Sequence, residues 1–176
     1  DRKILRSTNN GNSWTDITAG FLHGPGNYNW SQSSYDYYIE AVEDSSASGN
    51  DVVFVGLIDL VCARQANGYA WHSVGGPTYE PASLLHNDQH CLIQNPINPS
   101  EYLIGNDGGI YRMTYDPWLQ SATFDGSGNV DLGIVQCYKL GVHPFNADVM
   151  LTGTQDNATP YSDVNPFIPW RNVGGG

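Results

Sequence analysis

Positive charge is what this sequence has least of. Seven Lys and Arg stand against 18 Asp and Glu in 176 residues, a formal net charge of −11, with a pI near 4.4. The basic residues are scattered singly, so no basic stripe exists to neutralise a phosphate backbone, and nucleic-acid binding is excluded as an expectation. An acidic surface favours solubility and attracts cations or cationic partners without naming one. Long hydrophobic runs are also missing: no stretch of about 18 apolar residues could span a bilayer. The chain opens on a strand-like pattern without a leader, so any export signal is expected outside this segment. Cysteine is sparse. Cys62, Cys91 and Cys137 are too few and too irregularly spaced for a zinc cluster or a disulfide framework. Each is flanked by apolar or aromatic residues, which predicts buried free thiols.

What the chain has in abundance is Gly, Pro, Asn, Ser, Thr and Tyr, with charged residues at only 14%. That balance suits many short strands joined by tight turns, an all-β class. A repeat runs through it. Val52-Val53-Phe54-Val55-Gly56, Glu101-Tyr102-Leu103-Ile104-Gly105 and Val149-Met150-Leu151-Thr152-Gly153 are β-prone runs stopped by glycine, and the glycines recur after 49 and 48 residues. Turn signals at Asn95-Pro96-Ile97-Asn98-Pro99 and His143-Pro144-Phe145-Asn146 each place a proline nine residues before the glycine. The strands before them, His90-Cys91-Leu92-Ile93 and Tyr138-Lys139-Leu140-Gly141-Val142, have a third copy in Tyr38-Ile39-Glu40-Ala41-Val42. Trp14, Trp71, Trp118 and Trp170 mark a later point of the same cycle.

A period near 50 residues with several short strands and no amphipathic helix predicts propeller blades of four antiparallel strands. The register predicts a blade end with an insertion over 1–36 and blades over about 37–85, 86–134 and 135–176. Three blades form an incomplete ring, because closure takes four to eight. The missing blades are expected from further sequence or a partner chain, since open faces and edges otherwise remain.

Ser7-Thr8-Asn9-Asn10-Gly11-Asn12-Ser13-Trp14 resembles the Asp-box, S-x-D-x-G-x-x-W, with Asn9 in the acidic position. Its physics is local: Ser7 and Asn9 are polar groups that can bond the hairpin backbone, Gly11 supplies positive φ, and Trp14 is expected to plug the turn. Weaker copies lie at Arg64–Trp71 and Thr114–Trp118. Further on, His86-Asn87-Asp88-Gln89-His90, Gly105-Asn106-Asp107-Gly108-Gly109-Ile110-Tyr111-Arg112 and Gly153-Thr154-Gln155-Asp156-Asn157 follow in order. Together they resemble the Asp-box group of large secreted propellers, of sialidase-like (BNR-repeat) and sortilin-like kind, with H-x-D-x-H, GNDGG and GTQDN signatures. Ala158 departs from the glycine usual in the last of these. The resemblance implies an extracellular or cell-surface multi-bladed domain, and no single activity.

Alternating His86, Asp88 and His90 on a strand would face one side, where they can ligate a divalent metal or form a hydrogen-bonded polar cluster. Asp107 and Asp156 fall at the same place in successive repeats, closing turns or lining a shared groove with oxygen ligands for a structural calcium; no other cofactor is expected. Of the five arginines, Arg2, Arg6, Arg64, Arg112 and Arg171, Arg6 and Arg112 sit at comparable positions before blade-edge turns, where a repeated structural role accounts for them, so the three-arginine grip of a sialidase is not expected. A xyloglucanase-like hydrolase needs two carboxylates across a groove, and Asp88, Asp107 and Asp156 are the candidates. The other reading is a binding or structural module for glycans or protein partners. In it the insertion Phe21–Tyr37 presents Tyr28, Trp30 and Tyr35 to a sugar or partner, or else covers the end of a blade.

Overall fold

The computed structural model describes residues 3–21, 34–76, 85–130, 132, 135–155, 158–162 and 170–174. Among them there are fourteen strands and no α-helix. β1 (Leu5–Arg6) and β2 (Thr15–Asp16) form a two-stranded hairpin. A first four-stranded sheet follows, β3 (Tyr38–Glu43), β4 (Asp51–Gly56), β5 (Leu60–Arg64) and β6 (His72–Gly75). A second contains β7 (Gln89–Gln94), β8 (Glu101–Asn106), β9 (Gly109–Asp116) and β10 (Ser121–Asp125). A third contains β11 (Cys137–His143), β12 (Asn146–Thr154), β13 (Pro160–Ser162) and β14 (Arg171–Asn172). Every sheet is ordered as a meander in which consecutive strands pair antiparallel. The all-β class with four-stranded antiparallel units is therefore observed, and no ring is closed.

The glycine-stopped runs all lie on second strands. Gly56 pairs with Tyr38, Gly105 with Cys91 and Gly153 with Lys139. Trp14, Trp71 and Trp170 each stand immediately before the last strand of their unit, and Trp118 stands in the β9–β10 turn. Turn chemistry explains the positions. Gly68 takes φ +65° after a single 3-10 turn at Gln65–Asn67, while Asp116 Oδ1 accepts the backbone N–H groups of Trp118 and Leu119, an Asx turn that needs no glycine.

Burial separates the sheets. From Val52 to Val55 β4 is apolar and buried because both of its faces are covered. Val52 and Phe54 join Leu60, Cys62 and Val74 against Leu92, Tyr102, Ile104, Met113 and Tyr115 of the second sheet. Val53 and Val55 instead join Val61, Ala63 and Trp71 against Ile4, Ile17 and Phe21. The second sheet is covered on one side only: Tyr102 and Ile104 are buried, whereas Ile93 and Leu103 are 65% and 53% exposed. In the third sheet every residue of β11 is exposed.

Two expectations need correction. Cys62 is buried, but Cys91 and Cys137 are exposed free thiols, because Cys91 points to the uncovered side of the second sheet and β11 has no covered side. Trp14 does not plug its turn. It is 59% exposed, lying over Gly11 with its indole N–H donated to the Gly11 carbonyl at 3.1 Å. No helix among the described residues is long and apolar enough to cross a membrane.

Candidate functional site

Polar and titratable groups gather at the open end of the β7–β8 hairpin. Three segments meet there: the residues leading into β3, the connection from the first sheet into β7, and the β8–β9 turn. The connection is tied to the first sheet through backbone bonds from Asp88 N–H to the Ile58 carbonyl (3.1 Å) and from Gln89 N–H to the Leu57 carbonyl (2.8 Å). Gln89, fully buried, donates to the carbonyls of His86 and Ile58 and accepts from Asn106. These bonds hold the turn that carries Asp107 against the segment that carries Asp88.

The geometry overturns the strand reading of His86-Asn87-Asp88-Gln89-His90. Asp88 has φ +61°, a left-handed conformation that interrupts extension, so β7 starts only at Gln89. The register then shifts between Gln89 and Cys91, and His90 stands in that irregularity. The three side chains consequently go to three environments. His86 covers Gly108, where an added Cβ would meet the ring's Cγ at 2.5 Å, and its Nδ1 lies 3.2 Å from the Asn87 carbonyl. Asp88 is buried and accepts from the Asn87 amide at 2.8 Å. His90 is exposed and reaches Asp107 instead.

His90 Nε2 lies 2.5 Å from Asp107 Oδ1. A carboxylate can only accept there, so Nε2 is the protonated ring nitrogen. The Tyr35 hydroxyl donates to Asp107 Oδ2 at 2.8 Å, and the two rings meet edge to face at 5.0 Å. Asp107 thus fixes both side chains, leaving the Tyr35 ring 44% exposed. Beneath them lies Asp36, 0% exposed, with its carboxyl in hydrogen-bonding reach of Asp88. Burial first, and then the Asp88 carboxyl, push Asp36 up to about 6, with its own backbone N–H and His90 pulling the other way.

Among the described residues no three or more His, Cys, Asp or Glu converge as a metal-holding group, and His86, Asp88 and His90 are not brought together as one. Tyr28, Trp30 and Asp156 lie outside the described residues. Asp36 escaped the sequence reading because it lies within the insertion Phe21–Tyr37, which drew notice only for its aromatics. A signal existed: aligned on the Gly56–Tyr38 and Gly105–Cys91 pairs, Asp36 falls where Gln89 falls in the next repeat, and both are fully buried.

The Asp-box turn is a separate, peripheral assembly. Ser7 Oγ accepts from Gly11 N–H at 2.8 Å, Asn9 Oδ1 from Ser13 N–H at 2.9 Å, and Gly11 has φ +84°. A groove of about 480 Å³ lined by Ile93, Asn95, Pro96, Leu103 and Arg112 opens at the closed end of the β7–β8 hairpin, away from the Asp107 cluster. Comparison with family models, with curated proteins and with solved structures finds no match.

Proposed function

We propose that this chain is part of an extracellular β-propeller of the Asp-box kind, serving as a binding module whose recognition end is built on Tyr35, His90 and Asp107. The observation that carries the reading is the half-exposed Tyr35 ring. Its hydroxyl is fixed by Asp107 and its edge by His90, so an aromatic platform is held in place before any ligand arrives. A preorganised ring flanked by an imidazole and a carboxylate suits a glycan, whose C–H face stacks on the ring while its hydroxyls bond the polar neighbours. Four-stranded meanders recurring with the sequence period support the propeller architecture. The uncovered apolar faces of the second and third sheets support contact with further blades, from this protein or a partner.

Hydrolysis is the weaker reading. Acid and nucleophile or base must stand about 5–9.5 Å apart to flank a glycosidic bond, whereas Asp36 and Asp88 are in hydrogen-bonding reach of each other and Asp107 is bound by two neighbours. A glycan array followed by calorimetry on the retained sugars is the test. Tyr35→Ala is expected to abolish retention without changing the fold. Equal retention by wild type and variant, or no retention by the wild type, removes the assignment; reducing-sugar release would favour the hydrolase.

A further inference from the structure

The groups that fix the Tyr35 ring give its surroundings a sign. The Tyr35 hydroxyl lies 2.8 and 3.1 Å from the two oxygens of Asp107, and a phenol that donates to a carboxylate gains electron density in its ring. His90 is held by the same carboxyl and meets the ring edge to face, which leaves Tyr35 half-exposed. Asp36 and Asp88 lie buried behind them. Basic side chains are placed elsewhere. Lys3, Arg6 and Arg64 are ion-paired to Asp16, Asp51 and Asp44, Arg112 lines the groove at the closed end of the β7–β8 hairpin, and Lys139 and Arg171 stand in the third sheet.

We propose that the ligand of the Tyr35 ring is a cationic, amine-bearing glycan, whose protonated amino group lies at the face of the ring beside Asp107. This names the class of sugar for the recognition end described above and rests on that reading. Chemistry selects the class. A cation within about 6 Å of a tyrosine centroid is attracted by the negative face of the ring, and the pyranose that carries it stacks its C–H groups on the same surface. Asp107, in contact with the Tyr35 hydroxyl, adds a fixed charge a few ångströms away, inside the Debye length of about 8 Å at physiological salt. The attraction is therefore felt at the ring and weakened by added salt. A neutral sugar stacks but gains nothing from that charge. Uronic or sialic-type sugars are repelled by it, and their carboxylates call for the guanidinium or ammonium donors that this chain places elsewhere. The net charge of −11 draws cations to the whole surface without choosing a place; the ring and Asp107 supply the place.

Calorimetry on the full chain compares equal-length oligomers of glucosamine, N-acetylglucosamine and galacturonic acid, in buffer that keeps the sugar amine protonated, at low and at raised NaCl. The glucosamine oligomer should bind at least about fivefold more tightly than its acetylated counterpart, the preference should shrink with salt, and the galacturonic acid oligomer should give no heat. Asp107→Asn keeps the size of the side chain and removes its charge, so the ratio of amine to acetyl affinity should fall towards one. Tyr35→Leu, which keeps an apolar side chain without the π face, should lose the preference as well and carries the comparison if Asp107→Asn does not fold. Equal affinity for the two oligomers, both lost in Tyr35→Ala, overturns the cationic class and leaves glycan recognition standing. Absence of heat from every oligomer removes both. An amine preference that survives in Asp107→Asn and in Tyr35→Leu also overturns the proposal, because it then belongs to the acidic surface as a whole.

Discussion

Replacing Arg64 by methionine tests whether the two sheets are locked by a buried ion pair. Arg64 is 5% exposed at the end of β5. Its Nε donates to Asp44 Oδ2 at 2.8 Å, its Nη1 to the Pro117 carbonyl and its Nη2 to Ser46 Oγ. One guanidinium therefore joins the β3–β4 turn of the first sheet to the β9–β10 turn of the second. Methionine keeps much of the stem's packing but leaves the buried Asp44 carboxylate with only the two Ser46 bonds at 2.9 and 2.7 Å. Leaving one member of such a pair alone costs about 3–5 kcal/mol. Urea unfolding followed by fluorescence should show that loss at an unchanged slope, and Asp44→Asn in the Arg64→Met background should restore part of it. The pH dependence has a definite sign. Burial raises the Asp44 carboxyl's affinity for a proton, but the Ser46 bonds and Arg64 outweigh it and hold Asp44 below its ordinary value. Its stabilising contribution is thus complete above the unfolded value of about 3.9 and fades as pH falls towards the lower folded value. That acid-side loss should shrink in Arg64→Met. A cost below about 1 kcal/mol, the worth of an exposed pair, would refute the argument.

Other outcomes can be measured directly. Phe54→Ala should cost about 3–5 kcal/mol in the same unfolding assay, because Phe54 is fully buried between the sheets and meets Tyr102 and Tyr115 edge to face at 5.2 and 5.4 Å. Gly56→Ala should be far more destabilising than Gly153→Ala: an added Cβ would meet the Tyr38 ring at 1.9 Å at the first and nothing within 4 Å at the second. Two of three thiols should react quickly with a disulfide reagent in the folded chain, since Cys91 and Cys137 are exposed while burial pushes the Cys62 thiol up to about 12. The isolated chain should bind a hydrophobic dye through the uncovered second sheet and β11, and a soluble monomer that melts cooperatively without dye binding would count against the need for further blades.

The sequence by itself determined where most strands and turns lie. Alternation, glycine stops and proline turns are local, and so β4, β8 and β12 fall where Val52–Gly56, Glu101–Gly105 and Val149–Gly153 place them. Asn9 and Gly11 were legible for the same reason: their bonds close within four residues. Tertiary structure alone decided which faces are covered. Val53 and Leu103 occur in similar β-prone runs, yet one is buried by the N-terminal hairpin and the other is exposed, because burial depends on what lies across the sheet. It also decided the site. A single left-handed residue, Asp88, ended the alternation on which the His86, Asp88 and His90 reading depended. The partners of Asp107 and Asp88, Tyr35 and Asp36, come from 72 and 52 residues earlier in the chain, a pairing set by how the first and second sheets pack and carried by no local pattern.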